Sequence, residues 1–216
     1  MCSRHILPPT PTGAPARPGR PRNAAADTAI LEATRAALVE LGWSKLSMSD
    51  VAARAGVAKT TLYRRWAGKN ELVVDAVAVL FDELELPDRG SLAADIEGVV
   101  HQFAALLERP ETKTSLMAVV AESTRDAPLR ERIRASIVER QKRLVQEGRR
   151  RAQDRGELPT GDNAQEASPG TDDLIFDVIA GAVLHRALVS GEPVDAEWVE
   201  RFTALLLGGL GAASRA

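Results

Sequence analysis

The feature that most constrains the fold is the stretch from Asp50 to Trp66, which has the pattern of two short helices joined by a tight turn. Ser47 precedes the first helix as a good N-cap, and Asp50 lies three residues later, so the pair resembles a capping box. Gly56 supplies a turn backbone that other residues resist. The second helix is predicted to begin at about Lys59, and the whole stretch is therefore a helix-turn-helix.

The second helix of this pair has one apolar and one polar side. Leu62 is predicted to point inward, and the other side chains offer hydroxyls, a phenol and cations that can hydrogen-bond phosphates and base edges. A helical hairpin with a glycine turn is often only a packing unit, and a solvated face favours mixed Glu and Lys pairs. No acid occurs between Val51 and Asn70, which favours contact with DNA instead. The predicted DNA contacts here are Ser47, Lys59, Thr60, Thr61, Tyr63, Arg64, Arg65 and Lys69.

Positive charge is concentrated near the amino terminus, although the formal net charge of the chain is −2. Residues 1–26 carry four arginines and no acid, and residues 44–70 carry six Lys and Arg against Asp50 alone. Such segregation suits nucleic-acid binding, because neutralised phosphates release counterions. The Pro- and Gly-rich residues 1–26 are predicted to be a disordered arm whose Arg20 and Arg22 reach the minor groove. A solvating tail or an expression remnant is the alternative.

Composition argues against several other classes of protein. Cys2 is the only cysteine, so we expect no disulfide framework, no Cys/His metal site and a reducing, cytoplasmic setting. The longest apolar run, Ala204 to Ala213, is too short for a membrane span, and no signal-peptide core is seen. There is no Gly-rich phosphate loop and no nucleophile paired with a histidine, so we expect no enzyme activity, no cofactor and no membrane partner.

Several short motifs together resemble the DNA-binding signature of the tetracycline-repressor (TetR) family of bacterial transcription regulators. The resemblance runs from about Asp27 to about Glu85 and rests on Leu41-Gly42-Trp43, Ser47 to Ala52, Ala55-Gly56-Val57, Leu62-Tyr63, and Lys69 with Leu72. Two positions depart from the pattern. Ala58 stands where the family often has a capping Ser or Thr, and Arg65-Trp66 replaces the usual His-Phe pair. The base preferences of the family therefore cannot be transferred to this chain.

The rest of the chain also reads as helix, so the predicted fold is all-α with about nine helices. We expect a basic arm (1–26), a three-helix DNA-binding domain (27–68) and a larger C-terminal domain (69–216) for ligand binding and dimerisation. The fourth helix is predicted to run to about Leu86, before Pro87. A long basic helix from residue 127 to about 156 is either a second DNA surface or a solvated outer face.

Ligand-binding and dimerisation residues are harder to assign from the sequence. Residues of this kind are more often plain core, but those that could line a cavity between helices are Phe81, His101, Phe103, Met117, Phe176 and His185. The resemblance implies that the last two helices pair with those of a second copy. Candidates for that interface are Ile179, Val183, Trp198, Phe202 and Leu206.

Taken together, the sequence predicts a homodimeric repressor that binds a palindromic operator and is released by an unknown small-molecule inducer. It would act in the bacterial cytoplasm, on the nucleoid when bound to DNA. Two alternatives remain open at this point. One is an all-α small-molecule carrier with a vestigial helix-turn-helix, and the other is a repressor that responds to no ligand.

Overall fold

A computed structural model describes residues 24–158 and 170–213, and every regular element within these ranges is a helix. Nine helices follow one another, which confirms the all-α prediction. The first six are α1 (Ala24–Lys45), α2 (Met48–Arg54), α3 (Lys59–Tyr63), α4 (Lys69–Phe81), α5 (Leu92–Glu108) and α6 (Pro110–Ser123). The last three are α7 (Ala127–Ile133, Arg134–Val138, Glu139–Asp154), α8 (Thr171–Leu184, His185–Ser190) and α9 (Ala196–Ala213).

Helices α1 to α3 form a small three-helix unit with its own apolar centre. Leu38 of α1, Val51 of α2 and Leu62 of α3 are each at most 1% exposed. The capping box predicted before α2 is present, since the Ser47 hydroxyl accepts from the Asp50 amide at 3.3 Å and the Asp50 carboxylate accepts from the Ser47 amide at 3.2 Å. Gly56 has φ = +63°, so the turn between α2 and α3 uses the left-handed backbone that favours glycine.

The regular part of α1 ends at Gly42. Gly42 has φ = +72° and ψ = 170°, which interrupts the helix and leaves Trp43 to Lys45 as a short continuation in a new direction. The Leu46 amide donates to the Gly42 carbonyl at 3.2 Å and closes this bend. Leu46 itself is only 4% exposed, so the bend brings it back into the core of the three-helix unit.

Helix α4 is shorter than predicted, because it ends at Phe81 rather than near Leu86. The backbone of Glu85 is held instead by the Gln102 side chain of α5, which accepts from the Glu85 amide at 3.1 Å and donates to its carbonyl at 2.9 Å. The Leu86 carbonyl accepts from Arg151 of α7. Contacts with two distant helices therefore replace the helical hydrogen bonds that the local sequence permits.

Helix α7 is continuous from Ala127 to Asp154 but contains a π-helical turn at Arg134–Val138. Part of its positive charge is directed to neighbouring elements, while Arg134, Arg143 and Arg150 remain exposed. Many of its cations pair with carboxylates of other elements: Arg132 with Glu71 and Asp75, Arg140 with Asp82, Lys142 with Asp173, Arg149 with Asp172, and Arg155 with Asp88 and Asp95. The helix is therefore joined to several neighbouring elements by ion pairs.

Helices α8 and α9 pack their inner faces into the subunit, and the predicted dimer-interface residues lie wholly or partly on those faces. Val183 is fully buried, and Phe202 and Leu206 are each 9% exposed within a single chain. Ile179 and Trp198 are half-buried, and the Trp198 ring stacks on Phe202 with centroids 5.0 Å apart. These side chains contact the subunit's own core, and the opposite faces of the two helices remain exposed at Leu174, Val178 and Leu205.

Candidate nucleic-acid interface

Helix α3 presents a polar surface to solvent over an apolar back. Lys59, Thr60, Tyr63 and Arg64 are exposed, with Tyr63 at 51%, whereas Leu62 on the opposite side has no exposed surface. One cation, a hydroxyl and a phenol thus lie on the outside of a five-residue helix, and a second cation, Arg64, lies at its carboxyl end. Such groups donate to phosphate oxygens and to acceptors on base edges. Four of the eight predicted contacts near the turn therefore share one outward-facing surface.

Thr61 lies at the edge of this surface and is half-buried. Its amide donates to the Ala58 carbonyl at 2.8 Å, which closes the first turn of α3. Ala58 is the N-cap residue, with φ = −67° and ψ = 141°, and no side chain caps the helix there. The departure from the family pattern at Ala58 therefore has a structural counterpart in an uncapped α3.

Arg65 does not lie free on the outer surface, which corrects the expectation of an unpaired cation. Its guanidinium donates to the carboxylate of Asp27, in the first turn of α1, and the Arg65 side chain is only 18% exposed. The absence of acids between Val51 and Asn70 gave no hint of this partner, because Asp27 precedes that stretch by a whole helix. Arg65 joins the residues that follow α3 to the start of α1.

Lys69 is also occupied within the chain. Its ammonium donates to the Trp43 carbonyl at 3.0 Å and lies 5.0 Å from the centroid of the Trp43 ring, a cation–π arrangement. Lys69 is the first residue of α4 and was predicted to contact DNA. It holds the end of α1 against the start of α4.

Two further polar groups near the turn are engaged locally. The Ser47 hydroxyl donates to the Asp50 carboxylate at 2.5 Å, as part of the capping box. Arg54 of α2 donates to Glu40 of α1 at 2.7 Å, and this hydrogen bond holds the pKa of the Glu40 carboxyl below its ordinary value. The predicted contacts Arg20 and Arg22 lie outside the described residues.

The six pocket candidates differ in how far they are buried. Phe81 and Phe103 are buried and contact each other, with ring centroids 6.1 Å apart. His101, Met117 and His185 are exposed, and Phe176 is half-buried. Their positions support the simpler interpretation of Phe81 and Phe103 as core residues.

A groove of about 320 Å³ lies between the three-helix unit, α4 and the π turn of α7. None of the six pocket candidates lines it. Its walls are formed by Leu31, Trp66, Asp75, Ala78, Val79, Ser136 and Arg140.

A network of side chains behind α3 was not anticipated from the sequence. The Trp66 indole donates to Asp75 at 2.9 Å, and Arg132 of α7 donates to the other oxygen of the same carboxylate at 3.1 Å. Arg132 also pairs with Glu71 at 2.8 Å. Since Arg132 lies 57 residues from Asp75 along the chain, no local signal in the sequence could have paired them.

No group of three or more His, Cys, Asp or Glu side chains in residues 24–158 and 170–213 is placed to hold a metal ion. In the same ranges, no helix combines the length and the apolar character needed to cross a bilayer.

Comparison with known protein families gives two matches that together span most of the chain. Residues 30–76 match the family model described as "Bacterial regulatory proteins, tetR family". Residues 86–206 match the model described as "Tetracyclin repressor-like, C-terminal domain". The first match contains α2 and α3 with their flanks, and the second spans α5 to α8 and much of α9.

Individual relatives and a solved structure of the same family are similar to most of this chain. The chain is 30% identical over 179 residues to the DNA-binding transcriptional repressor TetR of Mycobacteroides abscessus, covering 80% of this chain and 87% of that one. It is 29% identical over 183 residues to the uncharacterized HTH-type transcriptional regulator YdeS of Bacillus subtilis, covering 84% and 87%. The crystal structure of the TetR family transcription regulator SCO0332 matches with a TM-score of 0.66 and 29% identity, covering 85% and 97%.

Proposed function

This chain belongs to the tetR family of bacterial regulatory proteins and is a DNA-binding transcriptional regulator, and we propose that it is a homodimeric repressor of a palindromic operator. In this proposal α3 enters the major groove, and Lys59, Thr60, Thr61 and Arg64 contact base edges and phosphates there. Tyr63 binds phosphate. Arg20 and Arg22 add contacts in the adjacent minor groove. A small-molecule inducer bound in the C-terminal domain releases the DNA.

One observation carries the DNA-binding part of the proposal, namely the outward-facing surface of α3. Its exposed cations and hydroxyl lie on the face opposite the fully buried Leu62. The helix is therefore held by core packing on one side, and its polar side is accessible to DNA. An α-helix fits the major groove of B-DNA, where each base pair presents a distinct pattern of donors and acceptors. Arg65 and Lys69 support α3 from within the chain, so they orient the reading surface rather than extend it.

The outer faces of α8 and α9 support the dimer. Leu174 and Val178 of α8 are 62% and 40% exposed, and Leu205 of α9 is 76% exposed. Gly181 and Gly208 lie on the same exposed sides and have no neighbouring atom within 4 Å of an added Cβ, so two backbones could approach closely there. A two-fold dimer presents its recognition helices roughly 34–36 Å apart, or a multiple of it, which matches half-sites of a palindrome.

Repression and release follow from linkage between two sites. The relative from Mycobacteroides abscessus carries the name of a DNA-binding transcriptional repressor, which favours repression over activation here. An inducer needs only to bind better to the state whose two α3 helices no longer fit the operator. If the inducer's binding free energy differs by roughly 1–3 kcal/mol between the two states, the operator affinity changes about 5–150-fold.

The experiment that tests the proposal is selection of bound sequences from random and genomic DNA, followed by electrophoretic shifts at two salt concentrations. We expect a palindromic consensus and binding that weakens steeply with salt, because phosphate contacts release counterions. Recovery of no consensus, or binding equal to that of random duplex, would favour the carrier with a vestigial helix-turn-helix.

Arg64→Ala locates the contact surface, with Arg143→Ala as the matched control. Both arginines are exposed, but Arg143 lies on α7. An arginine on a base edge contributes about 1–3 kcal/mol of discrimination, so Arg64→Ala should weaken specific binding several-fold or more. Loss of the dimer in Arg64→Ala, or equal effects of the two substitutions, would contradict the assignment of Arg64 to the DNA surface.

A further inference from the structure

Two carboxylates of α4 stand one helical turn apart behind the recognition helix. Glu71 and Asp75 have an i, i+4 spacing, so they lie on the same face of α4. Their side chains are 28% and 36% exposed. Each carboxylate has two oxygens, and in both cases the two oxygens face different parts of the chain.

One oxygen of each carboxylate binds the segment that leaves α3. The Trp66 indole N–H donates to Oδ2 of Asp75 at 2.9 Å, and the Ala67 amide donates to Oε2 of Glu71 at 2.6 Å. Trp66 is 6% exposed and belongs to the core of the three-helix unit. These two bonds fix the carboxyl end of α3, and therefore the angle at which its outer surface is presented.

The other oxygen of each carboxylate binds a single guanidinium from the C-terminal domain. Arg132 contacts Oε1 of Glu71 at 2.8 Å through Nη1 and Oδ1 of Asp75 at 3.1 Å through Nη2. One planar group thus bridges two carboxylates, which is a fork geometry that lysine cannot reproduce. We call Arg132, Glu71, Asp75, Trp66 and Ala67 the α4 clamp.

The place of Arg132 in α7 connects the clamp to the C-terminal domain. Arg132 comes two residues before the π-helical turn at Arg134–Val138, and π turns are local irregularities that often occur at functional sites. Ser136 of this turn lines the same groove as Trp66 and Asp75. A change in the course of α7 would therefore move Arg132, and through Glu71 and Asp75 it would shift the segment that leaves α3.

We propose that Arg132 is a positioning residue for DNA binding, which fixes the orientation of α3 relative to the C-terminal domain through Glu71 and Asp75. The inference rests on the proposed function, since it concerns how the same DNA-binding surface is held. Partly exposed ion pairs add little to stability, so the contribution of Arg132 lies in orientation. The neighbouring bond from Asn70 to Asp126, 2.7 Å long, still joins α4 to the start of α7 when Arg132 is removed.

The first test needs no DNA and examines the clamp itself in the full-length protein. The variants are Arg132→Ala and the matched control Arg134→Ala, whose guanidinium pairs with Glu131 and Glu139 of its own helix. The ¹⁵N-labelled Trp66 indole signal, assigned with Trp66→Phe, reports the bond to Asp75. We expect a shifted and faster-exchanging indole proton in Arg132→Ala only. An unchanged signal, or equal changes in both variants, overturns the inference.

The second test measures affinity for the selected operator and for random duplex. We expect Arg132→Ala to weaken operator binding by at least about fivefold, the lower end of the range that coupling between sites produces, with random duplex changed less than twofold. Arg134→Ala should leave both affinities unchanged. A merely structural defect would lower both affinities and the melting temperature together, and operator binding that is unchanged or tighter in Arg132→Ala overturns the inference.

A double-mutant cycle separates the clamp from independent contributions. If Arg132 acts through Asp75 and Trp66, the two substitutions remove the same interaction. The double variant Arg132→Ala, Trp66→Phe then has the same operator affinity as whichever single variant binds the operator less tightly. Additive effects would overturn the inference. Should the selection yield no operator at all, the proposed function fails, and the indole signal still decides whether Arg132 holds the carboxyl end of α3.

Discussion

A hydroxyl placed at the amino end of α3 should stabilise the recognition helix. Ala58 is its N-cap and offers no side-chain acceptor, although its backbone, with φ = −67° and ψ = 141°, is already extended as a capping residue requires. In Ala58→Ser or Ala58→Thr the new oxygen can accept from the amide of Thr60 or Thr61, which are the second and third residues of α3. The substitution needs no movement of the backbone.

The expected gain is about 1 kcal/mol, because replacing a capping Ser or Thr by Ala costs about 0.5–2 kcal/mol. Helix α3 has five residues, so one additional bond is a large fraction of its local stability. A gain of this size lowers the population of the locally open state about fivefold, since about 1.4 kcal/mol corresponds to a factor of ten. The reverse change, Ser47→Ala before α2, removes an existing capping box and should cost a similar amount.

Amide hydrogen exchange measures this effect where it occurs. The Arg64 amide donates to the Thr60 carbonyl at 3.1 Å and the Trp66 amide to the Leu62 carbonyl at 2.9 Å, so both exchange when α3 opens. We expect both amides to exchange about fivefold more slowly in Ala58→Ser. The matched pair is Ala58→Thr and Ala58→Val, which have nearly the same shape but differ in the hydroxyl. Equal protection in Thr and Val, or no slowing in Ser, would refute the reasoning.

Three other predictions concern the core, the dimer and acid stability. Leu62→Ala should lower the free energy of unfolding of the three-helix unit by about 2–5 kcal/mol in denaturant titrations, because Leu62 is fully buried. Leu205→Glu should convert the dimer to monomer in sedimentation analysis, whereas Met117→Glu, also at an exposed site, should not. The pKa of the Glu157 carboxyl lies below its ordinary value of 4.5, first because the Leu92 amide donates to it. The Glu157 carboxylate therefore stabilises the fold above about pH 4.5, and this stabilisation is lost as the pH falls through the lowered pKa. In Glu157→Gln the melting temperature should depend less on pH in this acid range.

The local course of the chain around the turn followed from the sequence. Ser47 and Asp50 are three residues apart, and Gly56 and Gly42 each adopt the positive φ that only glycine adopts easily. Signals of this kind act within one or two helical turns, so they do not depend on the rest of the fold. The apolar spacing that turned Leu62 inward acts at the same range. These features were predictable because their physical causes are contiguous in the chain.

Which side chains remain available to a partner was decided by the tertiary structure. Arg65 is paired with Asp27, which lies 38 residues away, and Arg132 with Asp75, which lies 57 residues away. Such pairs depend on how whole helices cross, and no local pattern specifies that crossing. The same reason explains why α4 ends at Phe81, since the Gln102 amide of another helix takes over the backbone of Glu85. The sequence thus determined that a helix-turn-helix would form, and only helix packing decided which of its cations face outward and what holds it in place.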